Sequence, residues 1–133
     1  MLVEDDTDDR ELFQAFVGDR SDIILLPIMG NGIELMTYLD TVFETGLPDL
    51  IILDQNMPRM NGKQTLQALK TDGRFADIPA VVYSTYTDRN LITECQDLGA
   101  RMVAMKPIDQ DGYHKMLNDF LLVLMPQDRR GMD

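Results

Sequence analysis

The chain has 133 residues, the length of one domain with a sizeable core, and 44% of them are hydrophobic. Its 12 basic and 23 acidic side chains give a formal net charge of −11. A domain this acidic is repelled by nucleic acid and by anionic membranes, so we expect neither as a partner. No apolar run approaches the roughly 20 residues that cross a bilayer, and no secretion signal opens the chain, so we expect a cytoplasmic location.

Strand-like and helix-like segments alternate about five times, which is typical of a sheet with crossover helices. A short apolar run over residues 1–3 is followed by an acidic cluster and a helical pattern. Asp8 and Glu11 are spaced like the N-cap of that helix and its N3 partner. A second apolar run, over residues 23–29, contains Pro27, which predicts an edge strand.

Three further apolar runs have the length of strands buried on both faces of a parallel sheet, over residues 49–53, 80–83 and 101–105. The helix before the last run ends at Gly99, a natural C′ residue. Cys95 lies on the apolar face of that helix, and as the only cysteine it excludes an internal disulfide bond. The last helix stops at Pro126. The sequence therefore predicts one domain over residues 1–125 and a frayed tail over residues 126–133.

Polar side chains follow four of these apolar runs directly. Ligands of open parallel sheets bind outside the carboxyl ends of the strands, so we expect these side chains to meet at one rim. Crowded carboxylates repel one another unless a cation neutralises them, and Mg²⁺ prefers such oxygen ligands. The candidate site residues are Glu4, Asp5, Asp54, Ser84 and Lys106.

Asp54 is the best candidate for a reactive carboxylate because it closes the most apolar run. The loop after it, with Asn56, Pro58 and Gly62, can direct a backbone carbonyl at a metal. A carboxylate beyond those that a minimal magnesium site needs can act as a nucleophile toward phosphorus. Phosphoryl transfer depends mostly on positioning and charge stabilisation, so a cation, a lysine and a hydroxyl group suffice without a general base.

Four motifs resemble those of the receiver domain of two-component response regulators. The loop from Asp54 to Gly62, of the form D-x-N-M-P-x-M-x-G, is the most specific of them, and the resemblance extends to about residue 125. It implies a doubly wound, flavodoxin-like three-layer α/β sandwich with five parallel strands in the order 2-1-3-4-5 and the site at the switch point between strands 1 and 3. The motifs are Val3-Glu4-Asp5-Asp6, Leu53 to Gly62, Tyr83-Ser84-Thr85 and Met105-Lys106-Pro107.

The resemblance also implies a role for each acidic residue. Asp54 would accept a phosphoryl group from a phosphohistidine on a sensor histidine kinase or a phosphotransfer protein. Asp5 and Asp54 would bind Mg²⁺ together with the backbone carbonyl of Asn56, while Glu4 would act mainly through a bound water. The neighbouring acidic residues, Asp6, Asp8 and Asp9, are interpreted as helix-start residues, with Asp6 left open as a further site residue.

The remaining implied roles concern the phosphoryl group. Ser84 would hydrogen-bond it, Lys106 would pair with it, and Pro107 would follow a cis peptide bond. Thr85 competes with Ser84 for the hydroxyl role, and the register favours Ser84. Val103 stands three residues before the lysine, where the family often has an aromatic residue, so the usual inward swing of a Tyr or Phe is not available.

The function predicted is that of a single-domain response regulator that signals through phosphorylation-dependent contacts with an unknown downstream protein. The contact surface would lie on the fourth helix, fifth strand and fifth helix, and a homodimer through the last helix is possible. The chain would not be an enzyme beyond its own phosphorylation and dephosphorylation. One alternative is a receiver-like interaction module that is never phosphorylated. Another is an aspartyl-phosphate hydrolase of the haloacid-dehalogenase type, which Asn56 disfavours because a general acid is required there.

Overall fold

The computed structural model describes residues 1–125; Pro126 and the predicted tail, 126–133, lie outside the described residues. The described strands form one parallel sheet in the order β1-β2-β3-β4: β1 (Leu2–Val3), β2 (Ile51–Asp54), β3 (Ala80–Ser84) and β4 (Met102–Met105). Helices cover both faces: α1 (Thr7–Gly18), α2 (Gly32–Val42), α3 (Gly62–Thr71), α4 (Arg89–Asp97) and α5 (Gln110–Leu122). The predicted doubly wound α/β fold is confirmed.

The predicted second strand, residues 23–29, makes a single parallel bridge to β1 instead of a ladder. The N–H of Glu4 donates to the carbonyl of Met29 at 2.9 Å, and the N–H of Met29 donates to the carbonyl of Leu2 at 3.1 Å. Pro27 has no N–H to donate and interrupts further pairing. The segment therefore lies beside β1, as the order 2-1-3-4-5 requires, but the predicted five strands are corrected to four among residues 1–125.

The core lies on both faces of the sheet because successive strand residues point to opposite sides. Leu2 and Ile52 pack with the apolar residues of α1 and α5, whereas Val3 and Leu53 pack with those of α2, α3 and α4. Burial on both faces is thus confirmed for the central strands. It is wrong for β4, whose residues are half-buried or exposed, because that strand forms the edge of the sheet. Cys95 is fully buried in the second group, as predicted.

The start of α1 and the end of α4 were both predicted from the sequence. Helix α1 begins directly after the acidic pair, with Asp6 as its N-cap: the Asp6 side chain accepts a hydrogen bond from the N–H of Asp9 at 2.9 Å. The prediction of Asp8 as the cap is wrong, because the helix begins two residues earlier. Helix α4 ends as predicted at Gly99, whose φ of 104° is a left-handed conformation that suits glycine.

Candidate functional site

The candidate residues meet at the carboxyl-terminal rim of the sheet. Glu4 and Asp5 follow β1, Asp54 and Ser84 are the last residues of β2 and β3, and Lys106 follows β4. The parallel register aligns Val3 with Leu53 and Asp54 with Tyr83, so the strand ends are level with one another. The structure therefore brings together all five side chains from separate parts of the chain.

Three carboxylates form the centre of this rim. Glu4 and Asp54 are 0% and 1% exposed, whereas Asp5 is exposed to solvent. One ligand oxygen from each lies within 4.8 Å of the other two. Opposite oxygen ligands of Mg²⁺ are about 4.2 Å apart, so these groups fit a single hard cation after small adjustments. The exposed Asp5 leaves the cluster open to water on one side.

Lys106 is the cation that faces these carboxylates. Its Nζ lies 2.8 Å from Glu4 Oε1, 2.9 Å from Asp9 Oδ2 and 3.2 Å from Asp54 Oδ1. The same nitrogen lies 4.8 Å from the centre of the Tyr83 ring. One lysine thus faces three carboxylates, and with Asp5 nearby the site keeps a surplus of negative charge that favours a bound cation.

The pKa values of the two buried carboxylates, Asp54 and Glu4, are shifted in opposite directions. Burial, together with a hydrogen bond to Glu4 and the charge of Glu4, raises the pKa of Asp54 to about 7. Burial also acts to raise the pKa of Glu4, but its hydrogen bonds with Asp54, Lys106 and Tyr83 outweigh burial and lower that pKa. Asp54 is therefore the member of the pair that holds a proton near neutral pH, and a divalent cation would take the place of that proton.

Ser84 ends β3, which pairs with β2 on the edge away from β1, and it is 2% exposed. Its hydroxyl oxygen accepts from Asn56 Nδ2 at 3.5 Å and from the Tyr86 N–H at 3.4 Å. The N–H of Asn56 in turn donates to Asp54 Oδ1 at 3.2 Å. Thr85, the competing hydroxyl residue, is exposed. The loop after β2 and the end of β3 are therefore linked beside the Asp54 carboxylate.

Pro107 and Val103, at the end of the last strand and within it, bear on two expectations from the sequence. Among residues 1–125 no peptide bond is cis, so the predicted cis bond before Pro107 is wrong. The trans form is the lower-energy isomer of an ordinary X–Pro bond, and here it continues the chain from Lys106 toward α5. Val103 packs half-buried against the core on the side of α2, α3 and α4, away from the Tyr83 ring.

Two residues of this site, Tyr83 and Asp9, were not predicted from the sequence. Tyr83 is part of a buried strand, as expected, yet its hydroxyl donates to Glu4 Oε1 at 2.7 Å. Asp9 was interpreted as a helix-start residue, yet it accepts a hydrogen bond from Lys106. Tyr83 directly precedes Ser84 at a strand end, and Asp9 lies one helical turn after Asp5. Both spacings are signals that could have found them.

The protein is thus a parallel α/β domain whose strand ends bring together a carboxylate cluster, a buried aspartate and a lysine. The family model described as the response regulator receiver domain matches residues 1–118. The chain belongs to this family. It is a receiver domain, the module that accepts a phosphoryl group in two-component signalling, and receiver domains bind a divalent cation at an acidic cluster.

Similar proteins agree with this membership. Response regulator Rre1 of Synechocystis sp. is 31% identical over 121 residues, which cover 91% of this chain and 50% of Rre1. A protein-glutamate methylesterase/protein-glutamine glutaminase of Clostridium acetobutylicum is also 31% identical, over 91% of this chain and 34% of its own length. The chain thus spans about half of the length of Rre1 and about a third of the length of the methylesterase. Most of the methylesterase therefore has no counterpart in this chain.

Solved structures give the same fold over nearly the whole chain. The phosphorylated cyanobacterial phytochrome response regulator RcpA is 27% identical with a TM-score of 0.80, and 94% of each chain is covered. The Mn²⁺-bound form of response regulator Rcp1 is 26% identical with a TM-score of 0.76, over 89% of this chain and 87% of Rcp1. Within residues 1–125, no helix is both long enough and apolar enough to cross a membrane.

Proposed function

We propose that Asp54 is the phosphoryl acceptor of this chain. The observation that carries the proposal is the placement of a 1% exposed carboxylate beside Lys106, at 3.2 Å, with two further carboxylates close by. The phosphorylated relative RcpA supports it by likeness. Asp54 is buried enough to be shielded from bulk water and lies next to the exposed Asp5, where a donor can approach.

The reaction is a displacement at phosphorus. An oxygen of Asp54 forms a bond to the phosphorus of a phosphohistidine, and the P–N bond breaks with its electron pair passing to the imidazole nitrogen, which takes up a proton. Lys106 stabilises the phosphoryl oxygens by charge, and the Ser84 hydroxyl donates a hydrogen bond to one of them. Two contacts support these roles: Lys106 Nζ lies 3.2 Å from Asp54 Oδ1, and the Ser84 hydroxyl contacts Asn56, whose N–H donates to Asp54 Oδ1.

Mg²⁺ is the proposed cofactor, held by Asp5, Asp54 and the backbone carbonyl of Asn56, with Glu4 acting through a water. Its chemistry when bound is to neutralise charge on the carboxylates and on the phosphoryl oxygens. The separations within the carboxylate cluster support this ligand set, as does the Mn²⁺ bound by the relative Rcp1. The octahedral coordination of both ions suits carboxylate and carbonyl oxygens.

The proposed partners are a sensor histidine kinase or a histidine phosphotransfer protein as donor, and a downstream protein that contacts α4, β4 and α5. Tyr86, Met105 and Ile108 are exposed apolar residues on this side, which supports a protein-binding surface.

Homodimerisation, a cytoplasmic location and the absence of catalysis beyond Asp54 belong to the same proposal. We also propose that the receiver domain extends to residue 125, since Phe120 and Val123 are buried in its core.

Incubation with acetyl phosphate and Mg²⁺, followed by intact-mass and peptide mass spectrometry, tests the acceptor. The wild type is expected to gain one phosphate on Asp54, and Asp54→Asn, which keeps the shape of the side chain, is expected to gain none. Asp97→Asn removes one exposed carboxylate far from the rim and is expected to label like the wild type. Labelling of Asp54→Asn would overturn the assignment, and a wild type that gains no phosphate would favour the unphosphorylated interaction module.

A further inference from the structure

Asp9 makes a contact with the site that neither the receiver motifs nor the proposed roles include. It lies in the first turn of α1, where its N–H donates to the cap residue Asp6 at 2.9 Å. Its carboxylate accepts a hydrogen bond from Lys106 Nζ at 2.9 Å. The two residues are 97 positions apart in the chain, and this ion pair links α1 with the end of β4.

The ammonium group of Lys106 has three N–H donors and three carboxylate neighbours. The contacts with Glu4 Oε1 and Asp9 Oδ2 are the two shortest, and the contact with Asp54 Oδ1 is longer at 3.2 Å. Two donors are therefore committed to residues at the start of α1 and the end of β1. The third is not used by these two residues, and Asp54 Oδ1, beside which phosphoryl oxygens would arrive, is the remaining carboxylate oxygen in ion-pair contact with the ammonium.

The first turn of α1 is itself held against the site. The Nε of Arg10 donates to the backbone carbonyl of Glu4 at 2.6 Å, and the N–H of Arg10 donates to the carbonyl of Asp6 at 3.0 Å. Asp9 is consequently presented from a fixed turn and not from a loose loop. The Lys106 side chain is 8% exposed, so its position depends on these neighbours more than on solvent.

We propose that Asp9 is a positioning residue for the phosphorylation reaction: it holds the Lys106 ammonium so that the remaining N–H faces the group on Asp54. This inference rests on the proposed function of Asp54. Without Asp9, Glu4 is the only carboxylate other than Asp54 itself in contact with the ammonium, and Glu4 also belongs to the proposed metal site. Lys106 then samples several orientations, and fewer of them are productive.

Three variants test this role, together with a spectroscopic readout of the lysine itself. In the wild type, NMR of the lysine side chains is expected to show a Lys106 ammonium signal with slow solvent exchange. Asp9→Asn is expected to lose that slow exchange and to react with acetyl phosphate about three to ten times more slowly. Asp9→Glu keeps the charge on a longer side chain and is expected to recover part of both. Asp8→Asn makes the same charge change one residue away, at an exposed position, and is expected to match the wild type in both.

The outcomes separate this inference from the proposed function. If the wild type labels on Asp54 and Asp9→Asn labels equally fast, or faster, Asp9 does not position Lys106 for the reaction and the inference fails alone. A slow Asp9→Asn whose Lys106 signal is unchanged also overturns it. If the wild type takes no phosphate, the proposed function fails and the inference fails with it. A circular-dichroism melt of each variant confirms that the compared proteins are folded.

Discussion

At the scale of single residues, Glu4 is the most constrained polar group of the rim. It is 0% exposed, and its Oε1 accepts hydrogen bonds from both the Tyr83 hydroxyl and Lys106. A buried carboxylate is stable only when such partners replace the water that it has lost. Tyr83, from β3, two strands away from β1, therefore stabilises a charge that the sequence places at the end of β1.

Tyr83→Phe removes one of these donors and leaves the ring in place. We expect the free energy of unfolding to fall by about 1–3 kcal/mol, because Glu4 stays buried with one hydrogen bond fewer. Urea denaturation at neutral pH measures the change. Tyr86→Phe, at a residue that is 71% exposed, should alter the same quantity by less than about 0.5 kcal/mol. Equal effects of the two substitutions would mean that the bond to Glu4 contributes nothing to stability.

At the scale of elements, the loop between β2 and α3 determines how Asp54 is presented. Gly62 begins α3, and its N–H donates to the carbonyl of Gln55 at 3.1 Å, which closes the loop on itself. A Cβ at this position would lie 2.8 Å from the carbonyl oxygen of Asp54 and 2.9 Å from the Cα of Gln55. Both neighbours are backbone atoms, so neither can move aside without moving Asp54.

Gly62→Ala is therefore expected to displace the end of β2. We expect a loss of about 1–3 kcal/mol in the free energy of unfolding and a clearly slower reaction with acetyl phosphate. Denaturation and the mass-spectrometric rate assay measure the two effects. Gly73→Ala is the matched control, because a Cβ at Gly73 has nothing within 4 Å. A Gly62→Ala protein with wild-type rate and stability would show that the close approach is relieved without affecting the site.

Some boundaries of helices and strands could be predicted from the sequence, and others could not. The end of α4 at Gly99 was predictable, because a left-handed C′ residue is a local requirement that glycine meets. The start of α1 was not, since Asp6, Asp8 and Asp9 are all acceptable caps by sequence. Similarly, Pro27 indicated an edge position for residues 23–29, but only pairing with β1 decided that a single bridge would form.

At the scale of the whole molecule, the formal net charge of −11 is concentrated in part at the rim, where carboxylates outnumber the one lysine. Burial of Asp54, together with the hydrogen bond to Glu4 and the charge of Glu4, raises its pKa to about 7. Below its unfolded-state pKa the proton is bound in both states and the stabilising effect is fully present. As the pH rises from the ordinary pKa of 3.8 to about 7, the unfolded chain has lost the proton that the folded protein still holds, so the stability without metal falls over this window and this contribution is lost above about pH 7.

Mg²⁺ is expected to reverse this loss at about pH 8, because it binds the folded site and not the unfolded chain. The midpoint of thermal unfolding should rise with Mg²⁺ concentration beyond the effect of NaCl at equal ionic strength. Asp54→Asn should unfold at a higher temperature than the wild type without metal, since a repelling charge is gone, and should gain less from Mg²⁺. A wild-type midpoint that responds to Mg²⁺ only as it does to NaCl would contradict a cation site at this rim.

The alternation of strands and helices, the apolar faces and the residue types that follow each strand could be predicted from the sequence, because these depend on local periodicity and on the ends of short segments. The sequence therefore predicted that Glu4, Asp54 and Lys106 would share one rim. The contacts of Tyr83 with Glu4 and of Asp9 with Lys106 could not be predicted in this way, since they depend on strand register and helix placement. Such contacts join residues 79 and 97 positions apart, and no local pattern specifies them.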